Sequence, residues 1–404
     1  MASTIVKIVA GLILLKIVSS TYGSSALPIL GQALSVNALL IGVTGSGIGR
    51  SLIYLHKNSF DSLEKRQRLA DASSFLLILL SLLILLATFT AAESISMLLA
   101  NSAELVPYMR TIGLISLVIS VSSLTMTYGA VEDRQERVAL ILIAAQILTI
   151  TIVYVATKEY SNYHLYIFYA VIQAVVVAIL MLFFARPVLQ SNLTLNFPRL
   201  FDLRSFRVEI GEIVNYSSFI TASVILTQVT IILVRSQVIN NYGLTVAGAW
   251  EGALKVSEGL VQLTGVILAF VLLPEFVKQK NHTATVGKAI VLIVAFFAAA
   301  YSGIAYFGDY ILTFLYTAEI SGLTKQYLLI LLCGDCLKVC FYVFQHHRLA
   351  KNQMRLFLAL EVISAAAIVT TAIFATNSIL LFLIGYMAVY FLATVTSIIL
   401  YVMR

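Results

Sequence analysis

Residues 73–91 read SSFLLILLSLLILLATFTA, nineteen positions without a charge, a proline or a glycine. At ~1.5 Å rise per residue such a run is a helix about 28 Å long, the thickness of a bilayer's hydrocarbon layer. Immediately upstream stand Lys57, Lys65, Arg66 and Arg68, the basic flank expected at one membrane face. Outward from this stretch the same pattern recurs, with apolar runs at Thr4–Tyr22, Ala33–Leu55, Thr111–Gly129, Val138–Thr157, His164–Ala185, Val214–Ile239, Leu244–Leu273, Val286–Tyr306, Tyr327–Phe344, Leu356–Ala375 and Ser378–Tyr401. With the quoted stretch this predicts twelve transmembrane helices. Over 404 residues the chain is 60% apolar and only 11% charged, against roughly 45–50% and 25% in a soluble domain, so water-soluble folding is excluded. The expected fold class is an all-α polytopic membrane protein. Lys16 inside the first run, with no small-residue cleavage site after it, points to a retained helix rather than a signal peptide.

The net charge of +7 would suit nucleic acid in a soluble protein, but in a membrane protein it reports loop orientation. Lysine and arginine gather in alternate loops: Lys57 to Arg68; Arg134 and Arg137; Arg186, Arg199, Arg204 and Arg207; Lys278, Lys280 and Lys288; Arg348, Lys351 and Arg355. The intervening loops hold Arg110, Lys158 and Lys325. By the positive-inside rule both termini are expected in the cytoplasm, with an even number of crossings. The longest polar linker follows the sixth run and predicts an N-terminal lobe (1–190), a cytoplasmic linker (191–212) and a C-terminal lobe (213–404). A weak internal repeat agrees. Lys16 precedes Tyr22-Gly23, and Arg235 precedes Tyr242-Gly243, each pair closing the first helix of its half.

A charge at the centre of a spanning helix costs at least ~2.5–3.5 kcal/mol, so intramembrane charges face a bundle interior or an aqueous cavity. Here they are Lys16, Arg235, Glu251, Lys255, Glu258, Asp335, Lys338 and Glu361. Glu251, Lys255 and Glu258 share one helix face at i, i+4, i+7, and Asp335 and Lys338 are i, i+3. Two readings stand for these acid–base sets: ion pairs that hold helices together, or cations that bind an anionic substrate beside carboxylates that titrate or gate. Lys16 and Arg235 have no partner on their own helix and favour the second. Lys7, near a helix end, can snorkel to the interface.

Other motifs resolve to structure. Gly42-Val43-Thr44-Gly45-Ser46-Gly47-Ile48-Gly49-Arg50 tempts a phosphate-loop reading. Within an apolar helix, Gly45 and Gly49 are instead the small-xxx-small spacing of close helix contact, while Arg50 at the helix end is placed to meet an anionic head group. Cys333, Cys336 and Cys340 lie near one helix face without a further ligand and read as buried interface thiols rather than a metal site. His346 and His347 read as solvated loop residues. The sequons at Asn192 and Asn281 fall on the predicted cytoplasmic side, and no cofactor, metal or nucleic-acid motif is present.

In Ser3-Thr4-Ile5-Val6-Lys7-Ile8-Val9-Ala10-Gly11-Leu12 with Lys16, in Gly248-Ala249-Trp250-Glu251-Gly252, and in Gly334-Asp335-Cys336-Leu337-Lys338-Val339 followed by Tyr342-Val343-Phe344, Ala350-Lys351, Arg355 and Glu361-Val362, the chain resembles Wzx-type flippases of lipid-linked oligosaccharides. These belong to the multidrug/oligosaccharidyl-lipid/polysaccharide exporter superfamily, and the similarity is greatest to the flippases of the enterobacterial common antigen. The resemblance runs over essentially the whole chain. It implies two six-helix lobes in a V-shaped alternating-access transporter of the bacterial inner membrane. The implied substrate is undecaprenyl pyrophosphate carrying a short glycan of the O-antigen or enterobacterial common antigen kind.

The implied roles are substrate binding for Lys16, Arg50, Arg235, Trp250, Lys255 and Lys338, and gating or proton coupling for Glu251, Glu258, Asp335 and Glu361. Membrane lipids, the Wzy polymerase and the Wzz chain-length regulator are the implied partners, and no catalytic activity is expected. Glu251, where a glutamine is familiar, and Lys255, where a small polar residue is, depart from the family pattern and bear on which sugar is carried. Two other classes compete. A cation-coupled multidrug exporter wants acidic, aromatic pockets, and the first half here shows intramembrane lysine and no buried carboxylate. A membrane-embedded glycosyltransferase or ligase wants a sizeable periplasmic loop, and those loops are short.

Overall fold

The computed structural model describes residues 2–57, 63–100, 103, 105–131, 134–159, 165–184, 206–278, 282–351 and 353–403, and among them every regular element is a helix. The spanning helices are α1 (Ala2–Tyr22), α2 (26–57, with a π-helical turn at Gly42–Ser46), α3 (Leu63–Thr90), α4 (Val106–Val131), α5 (Gln135–Glu159), α6 (165–184, opened by a 3₁₀ turn), α7 (207–242), α8 (244–278), α9 (His282–Leu315), α10 (Ala318–Ala350), α11 (Met354–Phe374) and α12 (Ile379–Val402). Nine described helices are long and apolar enough to cross a membrane. The one starting at Arg207 is two helices meeting at Gly243, and apolar helices at Ala26–Ile41 and Tyr166–Met181 complete the twelve. A short helix, Ala92–Ala100, separates α3 from α4. Helices prevail because lipid offers no hydrogen-bond partner, and each helix satisfies its own backbone.

Most helices outrun their apolar cores, and several residues expected in loops lie in helical turns. Lys65, Arg66 and Arg68 are in the first turns of α3, Lys158 is in the last turn of α5, and His346, His347 and Arg348 are in the last turns of α10. Hydropathy marks only the part in hydrocarbon, whereas a helix continues until its hydrogen bonding is broken. His347 packs edge-on against Tyr401, ring centroids 5.0 Å apart, and Arg348 is buried, donating to Gln345 Oε1 at 2.9 Å and Ser397 Oγ at 3.2 Å. The expected linker at 191–212 lies outside the described residues up to 205, as does Asn192; Asn281 is outside them too.

The chain forms two compact units, Gln32–Ile232 and Met1–Gly31 with Leu233–Arg404. Their limits differ from the six-and-six division expected at the linker. The divisions fall inside α2 and α7, because packing rather than chain order defines a unit: α1 packs on α9 of the second half, and α7 packs on α2 of the first, where Gly42 abuts Val224 and Gly47 abuts Thr221. The internal repeat is plain in the packing. In one unit α3 packs on α4, α4 on α6 and α5 on α6; in the other α9 packs on α10, α10 on α12 and α11 on α12, six helices later. The repeat extends to the backbone. Gly23 (φ 83°) and Gly243 (φ 80°) are the positive-φ glycines of the described chain, each following the tyrosine that ends the first helix of its half.

Inside each unit, small and hydroxylated residues set the helix spacing. A Cβ on Gly45 would meet Ser123 Oγ at 2.6 Å and one on Gly49 would meet Thr127 Oγ1 at 2.5 Å, so the glycine face of α2 lies directly on α4. The helical, close-packing reading of this segment therefore holds. Ser81 and Ser120 join α3 to α4 at 2.6 Å. Gln173 donates to Gln146 at 2.6 Å, and Gln146 in turn donates to Tyr169, tying α5 to α6. Apolar side chains meet lipid and neighbouring helix equally well, so close approach and polar pairing decide the packing.

Gly243 combines φ 80° with ψ 170°, a region essentially closed to other residues. Gly243→Ala is expected to destabilise the folded protein by about 1–3 kcal/mol, read as a lower melting temperature in detergent. Gly11→Ala, where a methyl meets no atom within 4 Å, is the neutral control.

Candidate functional site

The intramembrane charges converge within the unit that holds α1 and α8–α12. Arg235 and Glu251 face each other across the break at Gly243 and are both fully buried. Arg235 Nε donates to Glu251 Oε2 at 2.8 Å, and a terminal guanidinium nitrogen donates to Oε1 at 3.2 Å. The bare-cation expectation for Arg235 is thereby corrected: its partner lies on the next helix, which spacing along one helix cannot show. Gly31 of α2 makes room for the pair, since a Cβ there would sit 2.3 Å from Glu251 Oε1.

The whole GAWEG segment is a helix junction. A Cβ on Gly248 would stand 2.2 Å from the Ser24 carbonyl oxygen. Trp250 is buried edge-on to Phe382, centroids 6.1 Å apart, and Tyr316 donates to the Gly252 carbonyl at 2.9 Å. The indole N–H of Trp250 meets no protein acceptor, and the ring is packed in the interior rather than presented at a surface.

Further along α8 the charges become accessible. Lys255 Nζ lies 3.6 Å from Glu251 and 2.7 Å from Glu258, with side-chain exposures of 20% for Lys255 and 34% for Glu258. Ser257 donates to Asp335 Oδ2 at 2.5 Å and Tyr386 to Asp335 Oδ1 at 2.5 Å, so one carboxylate pins α10 to both α8 and α12. Lys338, one turn on, lies 3.9 Å from Asp335, with its ammonium 5.7 Å from the centre of the Tyr390 ring. Lys7 joins this end of the cluster, its charge acting on both Lys255 and Glu258, where Ile8 packs on Gly259.

Lys16 stands apart, its ammonium 5.7 Å from the centre of the Phe314 ring on α9. Glu361 is half-buried on α11. The side chain of Arg50 is outside the described residues. The cysteines are free, with Cys340 buried and Cys333 exposed, so only part of that set is interface. Among the described residues no group of three or more histidine, cysteine, aspartate or glutamate side chains is placed to hold a metal.

Reading single helices brings together Glu251, Lys255 and Glu258, and separately Asp335 and Lys338; the structure joins the two sets. Ser257, Tyr386, Tyr390 and Gly31 carry no sequence signal, because a hydroxyl, tyrosine or glycine in an apolar run is common there. The first half also holds a buried carboxylate, Asp71, which accepts from Gln67 at 3.4 Å. It lies on α3 and corrects the expectation that the first half has no buried carboxylate.

These elements define a polytopic helical fold of the kind seen in solved structures of the MOP superfamily. The chain is similar to a multidrug resistance MATE family transporter in an inward-facing conformation, with TM-score 0.72, 15% identity, and 98% of this chain and 94% of that one covered. It is also similar to the lipid II flippase MurJ in an inward closed conformation, with TM-score 0.79, 13% identity and coverages of 98% and 86%. In sequence it resembles the lipid III flippases of Escherichia coli (strain K12) and Shigella flexneri, 22% identical over 374 residues, or 89% of this chain and 86% of each relative. No family model matches the chain.

Glu251→Ala strands the Arg235 guanidinium in a dry interior, a loss of roughly 3–5 kcal/mol. Folded yield and melting temperature are expected to fall sharply, and to recover in the double variant Arg235→Met with Glu251→Met. A double variant no better than the single would show that the pair does more than neutralise charge.

Proposed function

We propose that the chain is a flippase that carries an undecaprenyl-pyrophosphate-linked oligosaccharide from the cytoplasmic to the periplasmic leaflet of the bacterial inner membrane. The similarity to lipid III flippases over 89% of the chain carries the reading, and a lipid II flippase shares the fold. The charges agree with it. An anionic head group needs cations inside the membrane, and Lys16, Lys255 and Lys338 are partly accessible there. Translocation asks for a ligand bound differently in two conformations, not for covalent chemistry, so the protein acts as a transporter rather than an enzyme.

The substrate is a repeat unit of the enterobacterial common antigen or O-antigen kind. Both termini lie in the cytoplasm on the loop-charge argument. Basic residues found within helical turns rather than loops stay at the same helix ends and support the same orientation. Lys16, Lys255 and Lys338 contact the pyrophosphate, whereas Arg235 acts through Glu251 by fixing the helix that carries Lys255. Glu258, Asp335 and Glu361 are the titrating candidates. The membrane potential, worth ~2.3 kcal/mol per charge per 100 mV, is available as a driving force. Wzy and Wzz are the proposed partners downstream.

Expression in strains lacking single flippases, one for each undecaprenyl-linked glycan, tests the reading. Restoration of one surface glycan is the expected result. Drug resistance without glycan restoration would favour a MATE-like exporter, and neither result would leave the flippase reading untenable. In the complementing strain Lys16→Ala is expected to cut surface glycan about tenfold or more, the effect of losing one charged hydrogen bond of roughly 1.5–3 kcal/mol, at unchanged protein level.

A further inference from the structure

The charges along α8 are not equally committed. Glu251 is engaged by the bidentate Arg235 and both are sealed from solvent. Asp335 is held by two hydroxyls at 2.5 Å, leaving Lys338 a carboxylate only at 3.9 Å. Glu258 differs from both. It is the most accessible of the three carboxylates, 34% exposed, and it touches Lys255 at 2.7 Å. Three further cations act on it through space, Arg235 from α7, Lys338 from α10 and Lys7 from α1, and of these Arg235 is already committed to Glu251. The Ser257–Asp335 bond fixes α8 against α10 immediately beside Glu258 and one turn from Lys338, and the contact of Gly259 with Ile8 fixes α8 against α1 immediately beside Lys7. Lys255 thus touches the accessible carboxylate, and the contacts of α8 beside it bring the helices that carry Lys338 and Lys7 to the same end of the cluster.

We propose that Glu258 is a resident stand-in for a ligand phosphate: its carboxylate occupies the anion position served by Lys255, Lys338 and Lys7, and yields that position when a pyrophosphate binds. Glu251 and Asp335 cannot play this part, because one is locked to Arg235 and the other is caged by hydroxyls. The exchange suits a transporter that must release its cargo. A carboxylate that returns to the lysines competes with the phosphate and keeps the three cations from remaining uncompensated in the membrane. The inference deepens the flippase reading by naming the phosphate subsite, and it rests on that reading's anionic substrate.

Binding to the purified full chain in detergent tests it directly, with farnesyl pyrophosphate as the probe, inorganic pyrophosphate to show whether the lipid tail is needed, and phosphatidylglycerol to separate a pyrophosphate site from a general anionic-lipid site. Glu258→Gln removes the competing charge and is expected to bind farnesyl pyrophosphate about tenfold more tightly than the wild type, a change of ~1.4 kcal/mol. Lys7→Gln, at an exposed position, is expected to weaken it severalfold. The double variant Lys255→Gln with Glu258→Gln removes the contacting pair together and provides a test should the single variant not fold; it is expected to bind about tenfold more weakly than the wild type.

Unchanged or weaker binding by Glu258→Gln overturns the proposal, as does wild-type affinity in the double variant. Equal gains for phosphatidylglycerol and farnesyl pyrophosphate overturn the pyrophosphate assignment. These readouts are separate from complementation. A chain that restores glycan while failing the binding tests loses the stand-in and keeps the flippase, and one that binds but restores nothing keeps the subsite and loses the flippase.

Discussion

The Arg235–Glu251 pair is the contact on which this half of the molecule is organised. Two opposite charges removed from water add little net stability, but losing either partner would leave an unanswered charge in the interior. The pair therefore acts as a register lock. It spans the break at Gly243, holding α7 and α8 in one rotational setting. Gly31 lets α2 lie against it, closer than any other residue type would allow. With α8 so oriented, Lys255 and Glu258 fall on the face that meets α1 and α10. The planar guanidinium suits the locked position, where two parallel bonds fix geometry, whereas the accessible positions carry lysines, whose point charges can change partners.

The rest of the packing uses the same economy of size. Along the glycine face of α2, each missing side chain is matched by a serine, threonine or valine of α4 or α7. At the GAWEG segment every residue but the alanine has a separate partner, on α1, α7, α9, α10 or their connections, or on α12. Such contacts carry weight in a membrane because leucine gains nothing by leaving lipid for a neighbouring helix. Motifs dense in small and charged residues therefore mark junctions first, and their bearing on the proposed function runs through the geometry those junctions impose.

That geometry changes what the intramembrane charges mean. Read along single helices, they divide into bare cations and mixed pairs. In three dimensions Arg235, Lys255 and Lys338 each have a carboxylate within 4.0 Å. A largely compensated but unevenly committed cluster suits reversible capture of an anion better than a set of uncompensated cations would, since the unliganded state then carries no large electrostatic penalty.

The linear chain by itself determined the number of spanning helices, the break after Tyr22 and Tyr242, the six-helix repeat and the charges that had to be buried. Each of these is a local property: apolar length against bilayer thickness, a glycine where only glycine adopts the backbone, or a charge too costly to leave in lipid. It also showed that Glu251, Lys255 and Glu258 share a face, because helical period fixes that alone. Only the tertiary structure decided that Arg235 belongs to Glu251, that Asp335 is caged by Ser257 and Tyr386, that the compact units cut through α2 and α7, and that α1 packs on α8 beside Glu258. The reason is rotational. A helix that is apolar all round carries no periodic mark of which side faces a neighbour, so partners between helices are set by packing, by glycines that admit close approach and by the few charges that must find one another.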